Sequence, residues 1–183
     1  MKIMKESLAT FLDDKIEMSK LQHGFTKGHS CLTNLLEFFE AWTRLLEEGY
    51  GIDIIYLDYR KAFDTVHHVR LIDKLTSYSV YRRITRWVKE FLSQRKMRVG
   101  VQESFSERVD VVSGVPQGSV LGPLLFLIFV NDLPNWVRNS MRMFADDRKI
   151  WRVYNGRTSG YSGLTQRSAK SCMSVIMLQR STI

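Results

Sequence analysis

The sequence predicts an α+β fold, helices mixed with strands that pair through tight turns, and three observations carry that reading. Gly51–Tyr59 (Gly-Ile-Asp-Ile-Ile-Tyr-Leu-Asp-Tyr) is a β-branched and aromatic run with the character of a buried strand. Met141–Trp151 sets strand-forming residues on both sides of Ala145-Asp146-Asp147. Asp suits turns and is depleted inside strands, so this stretch reads as a β-hairpin with its acids at the tip. Elsewhere apolar residues recur at helical spacing.

In chain order, Leu8, Phe11, Leu12 and Ile16 give Met1–Glu17 the pattern of an amphipathic helix. Leu21–Gly28 supplies turn chemistry, and Ser30 suits the N-cap of a second helix. Leu32, Leu35, Leu36, Phe39 and Leu46 are expected on its buried face, Glu37, Glu40, Arg44 and Glu47 on its wet one, with Gly49 closing it. Asp58 ends the following strand, and Val69–Leu75 makes a short helix. Tyr81–Lys96 places Ile84, Trp87, Val88, Phe91 and Leu92 along one face of a helix whose other face is cationic. Met97–Val101 and Ser106–Val112 alternate as a second hairpin. Ser113–Ser119, with Gly114, Pro116 and Gly118, cannot be regular, and it opens into an apolar helix over Val120–Val130 that stops by Pro134. From Asn155 the pattern fades into six serines, three threonines and no acid, so residues 155–183 are expected to be a disordered tail.

A chain of 183 residues, 44% hydrophobic and 25% charged, can support one well-cored domain. Its net charge of +8 favours partners with phosphates. The excess concentrates between Arg82 and Arg98, where seven Lys or Arg face Glu90 alone. On the predicted helix, Arg82, Arg83, Arg86 and Lys89 are the candidates for nucleic-acid phosphates. Cys31 and Cys172 fit no metal or disulfide framework, and His67-His68 cannot comfortably share one ion from a helix face. The longest apolar run is too short to span a bilayer and no signal peptide is recognisable, so an intracellular protein of nucleus or cytoplasm is expected, with no membrane partner. Nothing in the pattern indicates an oligomeric state.

Two bare carboxylates about 4 Å apart repel by about 4 kcal/mol at an effective dielectric of 20, so Asp146-Asp147 calls for bulk water or a cation. Taken alone, the pair reads as a solvated turn. Asp58 at a strand end and the stiff Gly-Pro-Gln-Gly loop change that, because glycines let a ligand approach the main chain and Gln117 offers both donor and acceptor.

Four segments in this order resemble the reverse transcriptases of jockey-like non-LTR retrotransposons: Gln22-His23-Gly24-Phe25 with Lys27-Gly28 and Ser30; Leu57-Asp58 through Lys61-Ala62-Phe63-Asp64-Thr65-Val66; Ser113–Ser119 through Gly122-Pro123; and Phe144-Ala145-Asp146-Asp147. The resemblance covers roughly Lys2–Trp151. It implies a reverse-transcriptase palm with part of the fingers, an antiparallel sheet packed on helices, with residues 1–154 as a partial domain. It further implies RNA-directed DNA polymerisation on an RNA template and DNA primer with deoxynucleoside triphosphates. Asp58, Asp146 and Asp147 would be the catalytic residues and the ligands of two Mg²⁺ (or Mn²⁺) ions. Phe63 would be the steric gate against ribose, and Ala62, Pro116, Gln117 and Gly118 would meet the nucleotide.

Departures from the family pattern are equally specific. Arg148 stands where a small polar residue is usual, and neither an earlier fingers arginine nor a later thumb segment is recognisable. A truncated copy, inactive by itself, is therefore expected. The alternatives are a non-catalytic nucleic-acid-binding remnant and a retrotransposon pseudogene product.

Overall fold

Strand pairing around Tyr50–Asp58 organises the half of the chain that holds the three acids. The computed structural model describes Glu6, Leu8, Thr10, Phe11, residues 18–155 and the backbone of Ser174–Ser181. Contacts divide the chain into two units, one made of Ser19–Arg60 and Asp132–Ile183, the other of Met1–Met18 and Lys61–Asn131.

In the first unit, α1 (Cys31–Glu47) precedes β1 (Tyr50–Asp58), and a 3-10 turn at Leu133–Trp136 precedes β6 (Ser140–Phe144), β7 (Asp147–Asn155) and β8 (Ser174–Ser181). The sheet runs β6-β7-β1-β8, each neighbour antiparallel. Ser30 and Thr33 form a reciprocal capping box that starts α1, and Gly49, at φ 81°, takes the left-handed turn that ends it. Successive strand residues alternate faces, so Ile52, Ile54 and Tyr56 point together and meet Trp151, Val153 and Phe38 of α1.

The buried side of α1 differs from the expected one. Asn34 and Phe38 are buried, with Ala41, Trp42, Leu45 and Leu46 partly so, whereas Leu32, Leu35, Leu36 and Phe39 are exposed. Two apolar stripes overlap on this helix, and helical periodicity cannot choose between them. The choice follows from the Phe38 and Trp151 rings, which meet edge to face at 5.4 Å.

The expected disordered tail is also corrected in part. Ser174–Ser181 runs as a strand along β1, in register from Ile52↔Ser181 to Asp58↔Ser174. Without it the central apolar strand β1 would be an open sheet edge, and the Val175–Leu178 run supplies strand-forming residues to cover that edge. Residues 156–173 and 182–183, including Cys172, lie outside the described residues. Of the expected N-terminal helix, Glu6, Leu8, Thr10 and Phe11 are described and helical.

In the second unit, α2 (His68–Ser77), α3 (Arg82–Leu92) and α4 (Gly122–Val130) surround a core that includes Leu71, Leu75, Val88, Leu92, Leu125 and Ile128. The α4 helix is apolar all round, as a helix enclosed by its neighbours must be. Between α3 and α4 the predicted hairpin is split into two short ladders, β2 (Lys96–Met97) with β5 (Val109–Asp110) and β3 (Gly100–Val101) with β4 (Ser104–Phe105). Among the described residues no helix is long and apolar enough to cross a membrane.

Candidate active site

The β6–β7 hairpin pairs Phe144 with Asp147 and leaves Ala145 and Asp146 as its two-residue turn. Such a turn needs positive φ, which Ala145 adopts at 55° although it is not glycine. The neighbouring Gln22–Gly24 segment holds it there. Gln22, 3% exposed, accepts the Ala145 and Gly24 amides on Oε1, both at 2.8 Å, and donates from Nε2 to the Ala145 carbonyl at 3.1 Å. All three bonds satisfy buried groups, so the amide is locked in one orientation. Gly24 lies so close that an added Cβ would stand 2.1 Å from the Ala145 nitrogen. Gln22 was legible as part of a motif but not as the clasp of the acidic turn. The available signal was a glutamine immediately before a turn, which alone marks nothing.

Asp58 joins these acids through β1. The register with β7 runs to Leu57↔Arg148, and one further step sets Asp58 beside Asp147. Consistent with this, the Asp147 carboxyl is pushed above the ordinary carboxylate range, first by burial and then by the charges of Asp146 and Asp58. The three predicted acids thus form one electrostatically coupled group within a single unit.

Arg148 lies beneath that group. Only 1% exposed, it stacks its guanidinium on the Tyr59 ring at 4.2 Å and donates Nη1 to the Asp146 carbonyl. Its Nε and Nη2 are buried and have no hydrogen-bond partner among the described residues. Burial pushes its pKa down to about 10 in spite of Tyr59 and the three acids, so it remains a cation at neutral pH.

The linkage of Asp147 has a definite sign. A carboxyl whose folded pKa is raised binds its proton more tightly in the fold than when unfolded. Its stabilising contribution is complete below the ordinary carboxylate pKa and is lost as pH rises through the raised folded value. In the presence of chelator, Asp147→Asn is therefore expected to raise the neutral-pH melting temperature, which thermal melts measure.

The other unit assembles the remaining loop candidates. Val115 N–H donates to the Phe63 carbonyl and Gly114 N–H to that of Val66, both at 2.8 Å, while Gln117 Nε2 reaches Asp64 Oδ1 at 3.0 Å. Gly114, at φ 85°, has no room for a Cβ, which would sit 2.7 Å from the Asp64 backbone. The loop bearing Pro116, Gln117 and Gly118 is thereby fastened to the segment bearing Ala62 and Phe63. Phe63 stacks on Phe126 at 4.4 Å, and Ala62 is buried. On α3, Arg82, Arg83, Arg86 and Lys89 are exposed, and an open cavity of about 1060 Å³ is lined by Arg82, Arg86 and Lys89 together with Thr76, Thr85 and Glu90, whose Oε1 pairs with Arg86 Nε at 3.1 Å.

The sequence pattern of the family described as reverse transcriptase (RNA-dependent DNA polymerase) matches residues 1–153. This chain belongs to the reverse transcriptase family. It is 32% identical over 154 residues to the probable RNA-directed DNA polymerase from transposon BS of Drosophila melanogaster, covering 81% of this chain and 16% of that protein. With the RNA-directed DNA polymerase from mobile element jockey of Drosophila funebris it shares 34% identity over 135 residues, 74% of this chain and 14% of the relative. The reverse transcriptase chain thus spans about one sixth of the length of these curated relatives. Among solved structures, apo telomerase from Candida tropicalis, truncated from its C-terminal domain, is similar in fold, with a TM-score of 0.62 at 12% identity. That alignment covers 82% of this chain and 34% of the telomerase chain. The jockey-like resemblance and the mixed helix and antiparallel-sheet fold are both borne out.

Proposed function

We propose that this chain carries the nucleotidyl-transfer site of an RNA-directed DNA polymerase, which extends a DNA primer on an RNA template using deoxynucleoside triphosphates. The observation that carries the reading is the coupling of Asp58 to Asp146 and Asp147 at adjoining strand ends, in a chain of this family. Mutually repelling carboxylates are hard oxygen donors that suit Mg²⁺ (or Mn²⁺), an ion that needs few of them when substrate phosphates supply the rest. Asp58, Asp146 and Asp147 would hold a metal pair that, when bound, activates the primer 3′-hydroxyl and neutralises charge on the triphosphate and leaving group.

The protein's own residues supply positioning. Gln22 and Gly24 set the turn beforehand, so the acids need not reorganise as charge develops. Phe63, held by Phe126, acts as the steric gate that disfavours a ribose 2′-hydroxyl. Ala62 and the main chain after Arg60 receive the triphosphate, and Pro116, Gln117 and Gly118 lie against the nucleotide and template base. Arg82, Arg83, Arg86 and Lys89 bind RNA phosphates. At about 0.7 per contact on a single strand, replacing all four with alanine should flatten the log–log salt dependence of RNA binding by about 3. Filter binding across a salt series measures it.

The test is primer extension by a chimera in which this chain replaces the corresponding segment of an intact jockey relative. Extension that requires Mg²⁺ or Mn²⁺ and is abolished by Asp146→Ala is the expected result. The 183 residues alone are expected to extend slowly or not at all, because clamping of nucleotide and primer supplies several kcal/mol of catalysis. The cavity beside α3, where Arg82, Arg86 and Lys89 outnumber Glu90, favours a second reading, non-catalytic RNA binding. Salt-sensitive binding with no extension in the chimera would decide for it.

A further inference from the structure

His23, His29 and Glu37 each offer one ligand atom, and these atoms lie within 4.8 Å of one another. None of them belongs to the group of acids on β1 and the hairpin. His23 is 0% exposed, Glu37 is half-buried and His29 is open to solvent.

The two His23 ring nitrogens have different surroundings. Nδ1 lies 3.0 Å from Thr33 Oγ1, which also bonds the Ser30 backbone, and 3.1 Å from His29 Nδ1. Nε2 is buried, has no hydrogen-bond partner among the described residues and faces Glu37 Oε2 at 3.4 Å. Burial lowers the pKa of His23, with the charge of Glu37 opposing it.

A buried ring nitrogen facing a carboxylate oxygen is an arrangement that a shared cation can satisfy when the nitrogen offers its lone pair. A separation of 3.4 Å is also what two ligands require on a tetrahedral ion with bonds of about 2.0–2.1 Å. The His29 ring stands edge-on to His23 with centroids 4.3 Å apart, its Nδ1 3.1 Å from His23 Nδ1. Arg142 Nε, 3.2 Å from Glu37 Oε2, fixes the carboxylate from the β6 side.

We propose that His23, His29 and Glu37 form a binding site for a zinc-class divalent ion, which clasps the segment carrying Gln22 and Gly24 to α1. Two imidazoles and one carboxylate are a set that Zn²⁺ accepts with a fourth position left open. Thr33, 3.0 Å from His23 Nδ1, stands where the outer contact of a histidine ligating through Nε2 would be made. Late first-row ions outcompete Mg²⁺ for nitrogen donors, so this site and the three aspartates select different metals.

The test titrates the full chain, stripped by chelator and kept in excess Mg²⁺, with Co²⁺ read by visible absorption and Zn²⁺ by calorimetry. One ion per chain is expected, with the absorption of a tetrahedral site. The exposed His29→Ala should weaken binding by about tenfold or more, whereas Asp146→Asn and His67→Ala should leave it unchanged. Absence of saturable binding, indifference to His29→Ala with the fold intact by circular dichroism, or loss of binding in Asp146→Asn each overturns the proposal. Histidine resonances that respond to pH but not to Zn²⁺ would identify a proton as the occupant and overturn it as well.

Discussion

Trp151→Ala is expected to cost about 3–5 kcal/mol of stability, the range for truncating a large buried aromatic. Trp151 is 5% exposed, stands opposite Ile54 in the central pair of strands and packs edge to face on Phe38. Its loss leaves a void that neither the paired strands nor α1 can collapse into. Since whole domains are stable by only about 5–15 kcal/mol, this one change removes a large share. Trp136→Ala is the control, because that ring is 81% exposed and its removal should stay within about 0.5 kcal/mol. Urea unfolding with an unchanged denaturant slope measures both variants.

Arg148→Ala is expected to cost about 3 kcal/mol, for a different reason. The substitution removes the stack on Tyr59, the bond to the Asp146 carbonyl and the cation closest in sequence to the acidic turn. The Arg148 charge lowers the Asp147 pKa, so losing it raises that pKa further and leaves the acids less compensated at neutral pH. If the three acids hold Mg²⁺ as proposed, the ion should restore more stability to Arg148→Ala than it adds to the parent chain. Arg148→Lys should remain destabilised, since an ammonium lacks the planar fork and stacks poorly. Unfolding curves with chelator and with Mg²⁺ measure the difference, and equal metal responses in parent and Arg148→Ala would contradict the compensating role.

Legibility in the sequence followed the length scale of each feature. Strand β1 and the acidic hairpin were readable because β-branched runs and an Asp-Asp turn are local signals that tertiary structure did not have to override. The stripe of α1 was misread because Leu32, Leu36 and Phe39 are as apolar as Phe38 and Trp42, and the sheet decides which side is covered. Strand β8 was missed because its surroundings are rich in serine, and the unpaired edge it covers belongs to a strand more than 100 residues earlier. Among the candidate site residues, Asp58, Asp146 and Asp147 were legible through spacing and family resemblance. The clasp by Gln22 and the burial of Arg148 were not, since a glutamine that bonds a turn 123 residues away leaves no periodic trace.

The most direct test of the account is electron paramagnetic resonance of Mn²⁺ titrated into the full chain. If Asp58, Asp146 and Asp147 act as one cation site, free Mn²⁺ signal is lost on binding. Asp58→Asn and Asp146→Asn should each restore that signal, whereas His29→Ala and the exposed Asp110→Asn should bind as the parent does. Binding that survives Asp58→Asn undiminished would contradict the account, because the acid brought in by β1 would then have no share in holding the metal.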